Sequence, residues 1–401
     1  MDASTNWAFA GAVLAFTFDP CCHAVGLSDD RAASEANTPA PEREAQRKNS
    51  SQFFDADDGQ FDLSSVLEHA HGFLPIPIVV TEPAVGYGGG AVAMFVRPRE
   101  EAGHEGWSRP NISAVGGLGT ENGTWLAFAG DSSRWLDGRL HTAVGAGIGK
   151  ANLDFYGAGL GLPELDQAHR FSLQFTGAIA QANWTLAPRS PWAVGVRYVY
   201  ADVNPEARDQ GVTPGVPTRV TVSAPTAILE YDSRNNVFTP TAGIYSETSY
   251  LASRSALGAS VDFDRFRQIL LAWKAVPHQI TLGAHVDYAW SSRDTPFFLR
   301  PYIQLRGVPA VRYQGDQVAS IEVEARWQFS ARWSVVPFAG TGTTRIARST
   351  ATTDGQSVTG GGIGFRNELA RKFGLHAGLD LAHSAGTNAV YIQIGNAWFR
   401  P

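Results

Sequence analysis

From about residue 84 to the C-terminus the chain alternates apolar residues with polar or small ones at a period of two, and nothing else restricts its fold as much. In residues 280–290, Ile280, Leu282, Ala284, Val286, Tyr288 and Trp290 belong to one face, and Thr281, Gly283, His285 and Asp287 to the other. In residues 319–330, Ile321, Val323, Ala325, Trp327 and Phe329 alternate with Glu322, Glu324, Arg326 and Gln328. Period two is the signature of a strand with two unlike faces, because successive side chains leave a strand on opposite sides. Such runs place strands near 84–96, 109–119, 123–132, 138–149, 152–160, 170–184, 192–203, 219–232, 243–253, 263–276, 279–290, 319–330, 333–344, 358–370, 374–384 and 388–399, sixteen in all.

An apolar strand face needs either a second sheet or lipid. The 42 glycines, 22 phenylalanines and 11 tryptophans beside only 17% charged residues suit many strands, tight turns and aromatic girdles. Trp125, Trp184, Trp192, Trp273, Trp290, Trp327 and Trp398 fall at or near strand ends, where a membrane interface collects tryptophan. Closure into a barrel satisfies every backbone group in lipid, which an open sheet cannot do. The expected fold is therefore all-β, a transmembrane antiparallel barrel of about 16 strands over residues 83–401. A soluble lectin-like β-protein is the competing reading, and release from membranes by carbonate or high salt would distinguish it.

Ahead of the barrel the composition changes. Residues 7–18 form an apolar run of signal-peptide length, with a small-residue cleavage site near Ala24, so 1–24 is taken as a signal peptide. Its first six residues carry no lysine or arginine, which leaves Met1 open as the true start. Residues 25–60 show no period and read as a disordered polar leader. Residues 61–82 hold a short helix over 61–71, capped by Asp62 or Ser64, and a lead-in to the barrel. Both cysteines, Cys21 and Cys22, lie within the first segment, so a disulfide framework, a zinc cluster and a cysteine nucleophile are excluded beyond it.

Chemical motifs are scarce. A net charge of −6 offers no footprint for nucleic acid. His69 and His71 are two apart and point to different faces of a helix, so no metal is assigned. The glycines of 84–96 lead into a strand rather than a helix, which removes the helix N-terminus that a phosphate loop requires. His141, His285, His376 and His383 each sit singly on a strand face, and no acid–base pair is legible at any spacing. No cofactor and no enzymatic activity are expected.

One stretch stands out within this pattern: Leu305-Arg306-Gly307-Val308 puts a lone arginine in a tight apolar setting between two strands. Folded into a wet lumen, it would meet the carboxylates of the polar face over 319–330. The stretch resembles the Val-Arg-Gly-aromatic loop motif of the BamA/TamA family of outer-membrane barrels, also called the bacterial surface antigen family. It lies between the eleventh and twelfth strands, as it does in that family. Tyr231-Asp232-Ser233-Arg234-Asn235-Asn236 with Pro240-Thr241-Ala242-Gly243 resembles the family's turn between strands eight and nine. Ile394-Gly395-Asn396-Ala397-Trp398 resembles its closing strand.

The likeness covers roughly residues 80–401 and leaves no room for the POTRA domains that precede many such barrels, so it is to the branch without them. It implies a bacterial outer-membrane protein that inserts or translocates protein or lipid, through a seam between first and last strands or through the lumen. Its partners would be outer-membrane lipid, the barrel-assembly machinery and an unfolded protein or lipid substrate. Gly86, Gly88, Gly89 and Gly90 in the first strand and Gly395 in the last are consistent with weak pairing at such a seam. The alternative is a passive channel or surface-structural barrel. Two departures bear on the loop: Gly340 stands where the family has an aspartate for the arginine, leaving Glu324 or Glu322 as partner, and Val308 replaces the aromatic. A third is Phe399-Arg400-Pro401, which follows the expected closing aromatic.

Overall fold

The computed structural model describes residues 53–55, 58–65, 72–97, 111–160, 162, 166–209, 218–347 and 353–398. The signal segment, most of the polar leader, His69, His71 and residues 399–401 lie outside them. Sixteen strands pair in chain order into one antiparallel, nearly closed sheet. They are β1 (Gly72–Val80), β2 (Gly88–Arg97), β3 (Asn111–Thr120), β4 (Trp125–Trp135), β5 (Leu140–Tyr156), β6 (Ala168–Thr185), β7 (Trp192–Ala207) and β8 (Val220–Asp232). The second half comprises β9 (Ala242–Ser253), β10 (Phe263–Val276), β11 (Ile280–Ser291), β12 (Gln317–Gln328), β13 (Trp333–Ala347), β14 (Thr353–Ala370), β15 (Leu375–Ser384) and β16 (Thr387–Ile394). Among the described residues helix is confined to single turns, such as Gly157–Leu160 and Phe297–Leu299.

Sixteen strands were expected and sixteen are found, but the two sets differ. The expected strands at 138–149 and 152–160 are one strand, β5, whose alternation continues through Ala151, Leu153 and Phe155 on the inner face. The first strand, β1, lies before the expected start of the barrel. Its sequence GFLPIPIVV contains Pro75 and Pro77, and proline argues against a strand unless the missing N–H faces a free edge. That is the case here: β1 pairs with β2 in continuous register from Gly72↔Val96 to Val80↔Gly88, and no ladder joins it to β16 among the described residues. Opposed residues of an antiparallel pair point their N–H groups alternately toward and away from the partner. Pro75 and Pro77 share a parity and leave the β2 ladder intact, so the donors they lack are those that would face the seam. The glycines assigned to a weak first strand belong elsewhere: Gly88–Gly90 open β2, Gly86 precedes it, and Gly395 follows β16.

The wall separates its faces as the alternation requires. On β12, Ile321, Val323 and Trp327 are exposed on the outside and Glu322 is buried inside. Trp135, Trp184, Trp192, Trp327 and Trp333 stand outward near the end of the barrel that carries the β4–β5, β6–β7 and β12–β13 turns. Trp273 and Trp398 do not join this girdle: both are buried inside, their rings 6.1 Å apart, with Tyr245, Ile269 and Leu271. The closing strand is shorter than expected because Gly395, at φ +81°, turns the chain inward after Ile394. Asn396 then ties it to the β8–β9 turn, its N–H donating to the Phe238 carbonyl at 2.6 Å.

The interior is filled at two levels. At the loop end, Phe297 of the β11–β12 loop packs on Phe155 of β5 and Phe171 of β6, at 4.8 and 4.7 Å between ring centroids. At the turn end, the described residues ahead of β1 are bound to the wall, unlike the disorder expected of the leader up to residue 60. Phe54 bridges Phe61, and the Leu63 N–H donates to the Leu369 carbonyl. Of the short helix expected over 61–71, Ser64 and Ser65 are helical, with the Asp62 side chain accepting the Ser64 N–H at 2.6 Å.

Candidate functional site

The loop between β11 and β12 folds back on itself before it reaches the wall. Tyr302 bridges Gln314, the Ile303 N–H donates to the Tyr313 carbonyl, and the Gly315 N–H to the Pro301 carbonyl. This stem carries Leu305-Arg306-Gly307-Val308 as a tip inside the barrel. Gly307 adopts φ +91°, which favours glycine, and a Cβ there would lie a tight 3.2–3.3 Å from His383 and Ala382 of β15. Val308 packs with Ile303, Leu305 and Tyr313 in a buried cluster, so an aliphatic side chain fills this place in the loop.

Arg306 is the centre of the site. Its Nε donates to Glu322 Oε1 at 2.8 Å, its Nη2 to Glu324 Oε2 at 2.9 Å and its Nη1 to Asp380 Oδ2 at 2.9 Å. Its backbone N–H also donates to Glu322, at 3.1 Å. The guanidinium lies 3.6 Å from the Phe338 ring centre, in cation–π range. Arg366 of β14 donates to the other oxygen of Asp380 at 2.5 Å, and Trp398 Nε1 donates to Glu322 at 2.7 Å. Two arginines thus share three buried carboxylates. A planar guanidinium spreads five donors over three nitrogens in a fixed fork, whereas an ammonium gathers its three on one compact nitrogen. Removing one member of a buried cluster costs about 3–5 kcal/mol, because its partners stay buried without compensation.

Glu322 and Glu324, the partners named from sequence, are thus both in contact with Arg306. The third partner, Asp380, projects from the inner face of β15 and is fully buried. At Gly340 a Cβ would lie 2.8 Å from Leu305 Cδ2 and from the Ile321 carbonyl, so the loop occupies the space that a carboxylate on β13 would need. The carboxylate comes from β15 instead.

The turn motif makes its own buried pair. Arg234 Nε and Nη2 donate to the two oxygens of Asp232 at 2.9 and 2.8 Å, and the guanidinium sits 4.6 Å above the Tyr245 ring. The Asn235 side chain accepts the N–H groups of Thr241 and Ala242, both at 3.1 Å. Gly243, at φ +107°, has the Ser233 carbonyl 2.3 Å from its Cβ position, which closes the turn to any other residue.

A second arginine centre escaped the sequence reading. Arg332, in the β12–β13 turn, donates to Asp55 at 2.7 Å, Asp58 at 2.5 Å and Asp62 at 2.8 Å, all from the segment ahead of β1. The Arg332 hydrogen bond holds the Asp58 carboxyl below the usual carboxylate range. A spacing of Asp55, Asp58 and Asp62 was readable, but its cation lies about 270 residues away in sequence. Of the histidines, His141 has its Nε2 3.0 Å from Ser132 Oγ. Both side chains are buried.

No protein-family model matches the chain, and no curated protein matches it in sequence. Solved structures do match in fold. BamA from Haemophilus ducreyi lacking POTRA domains 1–3 is 8% identical with a TM-score of 0.55, over 81% of this chain and 70% of that one. CdiB from Escherichia coli is 9% identical with a TM-score of 0.55, over 80% and 61%. CdiB from Acinetobacter baumannii is 8% identical with a TM-score of 0.54, over 80% and 59%. The chain spans about three fifths of each CdiB chain. At such identities the likeness is one of fold, and the fold is that of the BamA and CdiB barrels.

Proposed function

We propose that the chain is a bacterial outer-membrane barrel that inserts or translocates protein or lipid at the seam between β1 and β16, with the Arg306 loop as its internal lock. The observation that carries this reading is the seam: fifteen ladders join sixteen strands, and the β1 edge that would take the sixteenth is interrupted by two prolines. An apolar outer face with tryptophans at strand ends supports the membrane setting. Outer-membrane lipid and the barrel-assembly machinery are then its partners, with an unfolded protein or a lipid as substrate. The role is structural and mechanical rather than enzymatic, and it uses no cofactor.

The filled interior favours one alternative, a surface-structural barrel, and a passive channel is the other. Reconstitution into liposomes tests all three. Seam activity predicts that the chain accelerates insertion of a small unfolded outer-membrane protein, and that a disulfide tying β1 to β16 abolishes the acceleration. A steady solute-permeable conductance in planar bilayers, unchanged by that disulfide, would favour the channel. Neither activity would leave the structural barrel.

A further inference from the structure

Beyond Arg306 the loop tip continues toward the seam. Its backbone meets both sides of it. The Gly307 N–H donates to Tyr391 Oη of β16 at 3.0 Å, and Arg312 Nη1 donates to Thr387 Oγ1 of the same strand at 3.3 Å. Three residues past Gly307, the Ala310 N–H donates to Glu82 Oε1 at 3.1 Å. Glu82 lies in the connection that follows β1. Next along, Val311 is buried in the apolar cluster that also holds Val80 and Val85, at either end of that connection. Val311 adopts φ +58°, a conformation costly for a β-branched residue and kept only where the surroundings impose it. The tip therefore touches β16 and the end of β1 within six residues.

We infer that the β11–β12 loop tip is a clasp, which holds the β1–β2 connection to β16 through Glu82 and Tyr391 in place of the ladder that Pro75 and Pro77 prevent. The lock on β12 and β15 anchors the loop, and the clasp uses that anchor to hold the seam. A seam closed by two side chains rather than by a row of backbone hydrogen bonds can open without unzipping the sheet. Burial pushes the Glu82 carboxyl up to about 7, and Tyr391 of β16 and Tyr302 of the loop are the titratable groups that feel its charge. The acceptor at the centre of the clasp thus exchanges its proton near neutrality. The clasp holds whether or not anything passes through the seam, so its test reads the wall rather than transport.

Amide hydrogen exchange on the full chain in lipid nanodiscs makes that test, with Glu82→Ala, Tyr391→Phe and the pair Pro75→Val with Pro77→Val. Each of the first two removes one acceptor, and the expected result is exchange roughly three- to tenfold faster in β1 and β16 with β5 to β10 unchanged, the size of one net hydrogen bond. The proline pair restores two donors to the free edge and should slow exchange in both strands, including when combined with Glu82→Ala. Unchanged exchange at β1 and β16 in the acceptor variants, or a rise spread evenly over all sixteen strands, would overturn the clasp. So would a proline-pair variant that folds and gains no protection at the seam.

Discussion

Two arginines in this barrel each gather three carboxylates, and they do different work because of where the carboxylates come from. Arg306 is carried by a loop, and its partners Glu322, Glu324 and Asp380 project from wall strands that are already fixed by their ladders. Arg332 is the reverse: the arginine belongs to the wall's turn, and Asp55, Asp58 and Asp62 belong to a segment with little structure of its own. Around Arg306 every charge is deeply buried. Around Arg332 the guanidinium is buried but Asp55 and Asp58 remain partly exposed, at 15% and 19%. Rigid carboxylates catch a loop in the first case. A rigid arginine catches the incoming chain in the second.

That contrast predicts unequal costs. Arg306→Ala leaves three carboxylates inside the barrel with one arginine between them, and should cost at least about 3–5 kcal/mol. The expected outcome is loss of the heat-modifiable folded band, or a melting point lowered by many degrees. Arg306→Lys should recover only part of it, since a compact ammonium lacks the fork whose three separate nitrogens reach Glu322, Glu324 and Asp380. Next in size is Gly340→Asp, which adds a fourth carboxylate near the arginine yet should destabilise by roughly 1–3 kcal/mol, because the new side chain collides with Leu305 and the β12 backbone. A gain in melting point from this change would show that the loop does not occupy that space.

Arg332→Ala should leave the barrel's melting point nearly unchanged and release the segment around residues 53–65, read as new protease cleavage there. If the barrel itself unfolded, the two centres would not differ in kind. The last effect is a pH dependence set by Glu82. Its carboxyl rises from an ordinary 4.5 to about 7 in the folded chain, so between those values the folded state holds a proton that the unfolded state has lost. Stability should therefore fall as pH rises from about 4.5 to about 7. Melting points of the wild type and Glu82→Gln across that range check it: the variant should lose the slope.

The inequality also shows which parts of the molecule were legible in the sequence. Period two marked the wall and its faces from β8 to β16, because each strand there is bounded by turn residues. It failed at β1, where Pro75 and Pro77 argue against a strand in general and for an edge strand in this one. It failed at β5 too, where the glycines and polar residues of 145–152 resemble a turn while the strand runs on to meet Phe171 and Phe297. The arginine loop was findable because four adjacent residues carry it, and two of its partners lie on the next strand. Asp380, Tyr391 and Glu82 were not, because they depend on how the wall curves round to bring distant strands together. Trp398 was misplaced for a local reason: Gly395 at positive φ turns what looked like a closing strand into the interior.

A disulfide between Ile303→Cys and Gly342→Cys, with Cys21 and Cys22 replaced by serine, tests the placement of the loop most directly. A Cβ at Gly342 would lie 2.6 Å from Ile303 Cγ2 and 3.2 Å from Cγ1, which puts the two Cβ atoms near the roughly 3.5–4.5 Å that a disulfide spans. With the loop held inside by Arg306, the bond should form almost completely in the folded chain in lipid vesicles, and its yield should drop when Arg306→Ala is added. Thiols that stay reduced and open to a membrane-impermeant maleimide, or a yield indifferent to Arg306, would contradict the lock.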